Sequence, residues 1–299
     1  MKTIVALLAI LSVSAAIAQD HPKSREEAEA LVSSLKFQQG QIDLQKGLAT
    51  LNVPKGFRYL NGADANKIIV NLWGNPPGEE PLGLLMPDVS PLSRDAWAVI
   101  ITYNEDGYVK DDDAAKINYD TMLGEMKKSI HEANPERTKQ GYPTMELIGW
   151  AEPPRYDNAT HKLYWAKELK FGNETGNTLN YNIRMLGRRG VLVLNAVASM
   201  DQLSEIEQKT PEILSAIDFN QGNRYADFNP ASGDKVATYG IAALVAGGVA
   251  AKLGFFKMLW VGILAAKKFI IIAALAVAAW LRKFFGKKAP ATAGPPASG

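Results

Sequence analysis

The chain has 299 residues and a formal net charge of +2, but that charge is unevenly placed. Beyond residue 251 eight lysines and arginines stand with no acidic residue, whereas residues 19–235 carry 24 basic against 31 acidic residues, a net −7. A net negative stretch with no basic, aromatic-interleaved stripe has no field to draw a phosphate backbone, which argues against nucleic-acid binding. The lack of cysteine excludes disulfides, thiolate metal sites and cysteine nucleophiles.

Residues 1–18 read as a signal peptide, with Lys2 as the positive start, an apolar stretch over 4–13 and the small-x-small pattern Ala16-Ile17-Ala18 before the cleavage point. The alternative is an uncleaved anchor, for which the apolar run falls short of the ~20 residues a span needs. Either reading exports the central part of the chain, and residues 19–217 are expected to form one extracytoplasmic α+β domain. Ser24 and Glu27 stand in capping-box spacing ahead of Ala28, Leu31, Val32 and Leu35 at helical intervals. Segments 41–44 and 48–53 flank a turn and predict a hairpin, continued by an extended stretch at 57–60. Asp64 is expected to cap a helix carrying Ile68, Ile69 and Leu72 and ended by Gly74. The Pro- and Gly-rich stretch 75–93 reads as a loop packed down through Leu82, Leu84, Leu85 and Met86, before a buried-type strand at 97–103.

Residues 111–134 read as a helix with acidic residues at its start and Tyr119, Leu123, Met126 and Ile130 on one face. Four strands come next in meander order, 144–151, 161–171, 178–186 and 191–199, predicting an antiparallel sheet covered by helices. In the third, Leu179, Tyr181, Ile183 and Met185 alternate with Asn180, Asn182 and Arg184. The fourth is apolar on both sides apart from Asn195, the pattern of a central strand. Leu203, Ile206, Ile213 and Ile217 mark a closing helix in which Thr210-Pro211 is expected to impose a restart or kink. Residues 218–235 have the polar, Gly- and Asn-rich composition of a linker.

Residues 236–288 are expected to be a hydrophobic membrane anchor, and 289–299 a disordered tail. A continuous helix over 236–281 would reach about 69 Å, more than one bilayer crossing absorbs. The cleanest span starts at Val236 and runs through Gly240, Ile241, Leu244, Val245 and Ala250. The rest is either interfacial and re-entrant or the returning arm of a helical hairpin. The acid-free positive charges beyond the span fit a cytoplasmic end and contact with anionic lipid.

Chemistry leaves few marks. Asp111-Asp112-Asp113 lack the ligand spacing of a calcium loop and read as helix-start acids, and His21, His131 and His161 form no metal pattern. No nucleophile elbow, phosphate loop or dinucleotide turn is present, so no catalytic residue, metal ligand or cofactor is assigned. The most distinctive stretch places Trp150, Glu152, Pro153, Pro154, Tyr156 and Asp157 on what reads as an exposed strand-to-strand connection. Its aromatics beside a stiff proline pair form a candidate binding surface, or else pack the edge of the core.

The segments 107–113, 148–157, 163–167 and 191–198, above all Trp150-Ala151-Glu152-Pro153-Pro154, resemble a bacterial family called domain of unknown function 2167. The resemblance implies a membrane-anchored topology in a Gram-negative envelope, with the domain facing the periplasm from the inner membrane, and no catalytic residue. The order of strands and closing helix is similar, as fold analogy only, to the PsbP-like sandwich. The function expected is a tethered binding or scaffolding module contacting membrane lipid and an envelope protein partner. The alternatives are an envelope hydrolase built on residues such as Glu152, Asp157 and His161, and a lipid or envelope-state sensor acting through the basic anchor.

Overall fold

The structure, a computed structural model, describes residues 22–246. The expected signal peptide, the anchor from residue 247 onward and the tail lie outside the described residues. Among the described residues no helix is long and apolar enough to cross a membrane.

Helix α1 (Arg25–Ser33) starts where Ser24 Oγ accepts from the Glu27 amide at 3.2 Å. Strands β1 (Gln41–Leu44) and β2 (Ala49–Asn52) form the expected hairpin, with β3 (Phe57–Asn61) after it. The next helix, α2 (Gly62–Asn66), is capped by Asn61 and not by Asp64, and it runs on as a π-helical segment, Lys67–Leu72. Asp64 is buried instead, accepting from Lys67 Nζ at 2.7 Å and from the Lys36 amide at 3.0 Å. The stretch expected as a loop at 75–93 contains a strand, β4 (Gly83–Pro87), because Leu84, Leu85 and Met86 are apolar on both faces and pair with β3 and β5 (Ala98–Asn104).

The long helix differs from its expected bounds. Residues 108–110 form strand β6 (Tyr108–Lys110), Asn118 supplies the cap, and α3 spans Tyr119–Lys139 with Pro135 inside it. The triple aspartate therefore does not cap this helix. The meander is present as β7 (Met145–Asp157), β8 (Lys162–Phe171), β9 (Thr178–Leu186) and β10 (Val191–Ser199). These join the earlier strands in a seven-stranded antiparallel sheet of order β3-β4-β5-β10-β9-β8-β7, with β10 in the middle.

Helix α4 (Leu203–Ala216) is continuous through Pro211, and Thr210 Oγ1 donates to the Ile206 carbonyl at 2.7 Å. Residues 218–235 are not a free linker. Strand β11 (Ile217–Phe219) adds to β2 in a second sheet of order β1-β2-β11, and Asp234 binds Arg188 and Arg189 at 2.6 and 2.9 Å. The first residues of the span expected from Val236 are not one apolar helix. Residues 236–240 form β12 (Val236–Gly240), parallel to β6, and α5 (Ile241–Ala246) buries Ile241, Leu244 and Val245. Asp113 caps that helix, accepting from the Ile241 and Ala242 amides at 3.0 and 3.3 Å. The close approach needs Gly240, since a Cβ there would lie 2.5 Å from the Asp113 carboxylate.

One face of the large sheet carries Tyr181, Ile183, Met185, Leu192 and Leu194 and packs against β1-β2-β11 and α4, through Leu51, Ile206 and Ile213. The opposite face has two separate covers. At the β3-β4-β5 end, α1, α2 and the π-helical segment pack on Leu84, Met86 and Ala98. At the other end, β6, α5 and the start of α3 pack on Leu163, Trp165, Leu186, Val191 and Val193, while α3 also covers Leu147 and Leu169. Beside the second cover runs a polar strip of Lys167, Asn180, Asn182, Arg184 and Asn195 that belongs to neither apolar cluster among the described residues.

Candidate functional site

The stretch expected as an exposed connection is an edge strand. Trp150 to Asp157 lie in β7, whose pairing with β8 shifts register between Leu147 and Gly149, Trp150 and Glu152, and Glu152 and Arg155. Bulges on an edge strand tolerate prolines that cannot donate to a ladder, which is how Pro153 and Pro154 fit. Pro153 is exposed and Pro154 buried.

The six expected residues do not form one surface. Trp150 and Tyr156 pack on the α3 and α5 side, with Trp150 Nε1 donating to the Tyr119 carbonyl at 3.4 Å. Glu152, paired across from Ala166, belongs to the other side, where its Oε1 accepts from Arg155 Nε at 3.1 Å. The Arg155 guanidinium lies 4.1 Å over the Tyr164 ring. Asp157 closes the adjoining turn by accepting from the Ala159 amide at 2.9 Å and Thr160 Oγ1 at 2.7 Å. His161 enters a third network. The Tyr156 hydroxyl donates to Asp111 Oδ2 at 2.8 Å, His161 Nδ1 lies 3.4 Å from the same oxygen, and the imidazole sits 4.1 Å from the Tyr225 ring. Glu152, Asp157 and His161 thus each serve a different local contact. Asp111 ties β6 to β7 and β8, and Tyr225 extends the tie by stacking on Tyr108 and donating to the Val109 carbonyl.

A more unusual arrangement occupies the polar strip, whose flanking Leu163, Trp165 and Val193 belong to the second cover's cluster. Residues directly opposite in antiparallel strands share a face, and β8, β9 and β10 lay three rows across it. The first is Leu163, Arg184, Val193; the second Trp165, Asn182, Asn195; the third Lys167, Asn180, Val197. Asn182, at the centre, is 3 % exposed and donates to the Asn180 carbonyl and Asn180 Oδ1 at 2.9 and 2.8 Å. Arg184 donates to Asn182 Oδ1 at 3.3 Å and to the Ile183 carbonyl at 3.2 Å, with its guanidinium 4.8 Å over the Trp165 ring.

Two polar atoms on this face are buried without a hydrogen-bond partner: Trp165 Nε1 and Asn195 Oδ1. Trp165 itself is 1 % exposed. Two cations share the face, both half-buried. Burial, and then the neighbouring Arg184, lowers the Lys167 amine to about 8. Burial likewise lowers Arg184 to about 10, against a raising influence from Tyr239. Unsatisfied buried polar atoms each cost about 1–3 kcal/mol, so a strip with two of them beside two desolvated cations is poor as pure packing and well suited to receive a polar ligand.

Sequence reasoning separated Asn180, Asn182 and Arg184 from their apolar neighbours by alternation and singled out Asn195, but made no site of them. The signal available was the polar residue in an otherwise two-sided apolar strand, set beside an alternating neighbour whose polar side includes an arginine.

A family model described as "Protein of unknown function (DUF2167)" matches residues 36–278. No curated protein matches the chain. Among solved structures, the chain is similar to the cyanobacterial PsbP of Synechocystis, at 14% identity and a TM-score of 0.33, over 62% of this chain and 93% of that one. It is also similar to the Saccharomyces cerevisiae Ran-binding protein Mog1p, at 12% identity and a TM-score of 0.31, over 62% of this chain and 96% of that one.

Proposed function

The chain belongs to the DUF2167 family, and from that premise we propose that it is a binding module tethered in the cell envelope, exported by residues 1–18 and held to the inner membrane by the apolar segment near its carboxyl end. The observation that carries the binding half of this reading is the pair of partnerless buried atoms, Trp165 Nε1 and Asn195 Oδ1, on a half-covered sheet face. A ligand supplying an acceptor to the first and a donor to the second offsets a cost that packing leaves in place. The tethering half rests on composition: the apolar run continues directly from α5 and carries only positive charges.

Photocrosslinking in intact cells tests the binding half. A photoreactive residue at Val197, on the strip, is expected to capture a ligand that the same residue at exposed Ala159 does not. Equal capture at the two positions, or none at Val197, contradicts the reading. Retention in vesicles after an alkaline carbonate wash is expected of the tether, and release into the wash contradicts it.

A further inference from the structure

The polar strip is asymmetric in charge. Lys167 and Arg184 stand on neighbouring strands and on the same face, and after burial the Arg184 charge disfavours the protonated form of Lys167. Among the described residues the Lys167 amine makes no hydrogen bond and no ion pair, and the Arg184 guanidinium donates only to a carbonyl and an amide oxygen. The groups facing them do not neutralise them. Asn180, Asn182 and Asn195 are amides, Trp150 and Trp165 are indoles, and the Tyr239 hydroxyl near Arg184 is spent donating to Asp106 at 2.6 Å. Two desolvated cations without a counter-charge oppose folding, and an anion seated between them removes both the repulsion and the missing hydrogen bonds. A guanidinium presents paired N–H groups that match the oxygens of carboxylate or phosphate, and a lysine ammonium adds a movable donor.

We propose that this strip binds an oxyanion, a phosphate or carboxylate carried by a small molecule with a hydroxyl or amine, held by Lys167, Arg184 and the Trp165 indole N–H, with Asn195 accepting from the hydroxyl or amine. The inference rests on the strip being a binding face and adds the sign and chemistry of what it binds. The protein's net negative domain makes this the more specific: the surrounding field does not gather anions, so the affinity comes from these groups at short range.

The test uses the full chain in a neutral detergent, with tryptophan fluorescence as readout because Trp165 lies against the site. Inorganic phosphate and gluconate are titrated as anions, and glucitol serves as the uncharged counterpart of gluconate. Vesicles of phosphatidylglycerol and of phosphatidylcholine distinguish a lipid headgroup from a free anion. A saturable change is expected with phosphate or gluconate, or with phosphatidylglycerol alone if the anion is a headgroup. Lys167→Met and Arg184→Gln are each expected to weaken it about tenfold or more, with unliganded melting temperatures showing that both variants fold. Anion binding left unchanged by both substitutions overturns the proposal. Binding of glucitol but of no anion overturns the charge assignment and leaves the binding face standing, whereas no response to any probe overturns both.

Discussion

Replacing Lys167 with methionine is expected to make the unliganded chain more stable, the reverse of what most substitutions on a well-packed sheet do. The amine is held at about 8 in place of 10.5, first by burial and then by Arg184. Each pKa unit corresponds to about 1.4 kcal/mol, so keeping the amine protonated near neutrality opposes folding by roughly 3 kcal/mol. Methionine has a similar reach and no charge, and it recovers an amount of that order minus any loss of the stem's packing. The sign with pH is equally specific. The folded pKa lies below the unfolded one, so the unfolded chain binds more protons between about pH 8 and 10.5. Wild-type stability should therefore rise with pH across that window, from its full penalty below 8 to none above 10.5. Tyr59 and Tyr103, both raised to about 12 by burial, act in the opposite direction above about pH 10 in both proteins. The difference between wild type and variant isolates the lysine. Urea unfolding at pH 7, 8.5 and 9.5 measures it: the variant's advantage should be largest at pH 7 and shrink as pH rises. A variant that is less stable at pH 7, or an advantage independent of pH, refutes the desolvated, unpaired lysine.

Other substitutions test the frame around the strip. Asp113→Ala removes the acceptor for the first two amides of α5 and should cost about 1 kcal/mol, with faster hydrogen exchange at Ile241 and Ala242. Gly240→Ala should reproduce that exchange pattern, because the added methyl displaces the same carboxylate. The Asp234 carboxylate, 1 % exposed between Arg188 and Arg189, is held well below the usual carboxylate range by the Arg188 hydrogen bond and its neighbours. With the folded pKa depressed, its contribution is present above about pH 4 and lost as pH falls below that. Asp234→Asn should therefore unfold at lower temperature at pH 7, with the deficit narrowing in acid. Ile206→Val, on the α4 face buried against the sheet, should cost about 0.5–1.5 kcal/mol in urea unfolding, and a neutral result would contradict the docking of α4.

Much of the sheet was legible in the sequence because its signals are local. The alternation of Leu179, Tyr181, Ile183 and Met185 sets the face of β9, and the two-sided apolar run of β10 sets its central place, flanked by β9 and β5. What alternation does not carry is what covers a face. Asn180, Asn182 and Arg184 read as the polar side of a strand, yet Asn182 is 3 % exposed because helices close both ends of that side. The site was invisible for the same reason: Lys167, Arg184 and Asn195 come from three strands, and only pairing places them together. Pro153 and Pro154 misled in the other direction, since register shifts let an edge strand carry residues that elsewhere mark a loop. Polar composition at 218–235 reads as a linker, but Asp234 finds its arginines in the turn between β9 and β10, more than forty residues back along the chain.

The most direct measurement is a titration of the Lys167 side chain by NMR in the full chain, using ¹³C-labelled lysine assigned by loss of its signal in Lys167→Met, with and without inorganic phosphate. The expected result is a midpoint near 8 for the free protein, moving upward when phosphate supplies the missing negative charge. A midpoint near 10.5 that phosphate leaves in place would mean that the amine already sits in water or beside an anion, contradicting both the unpaired cation and the site built on it.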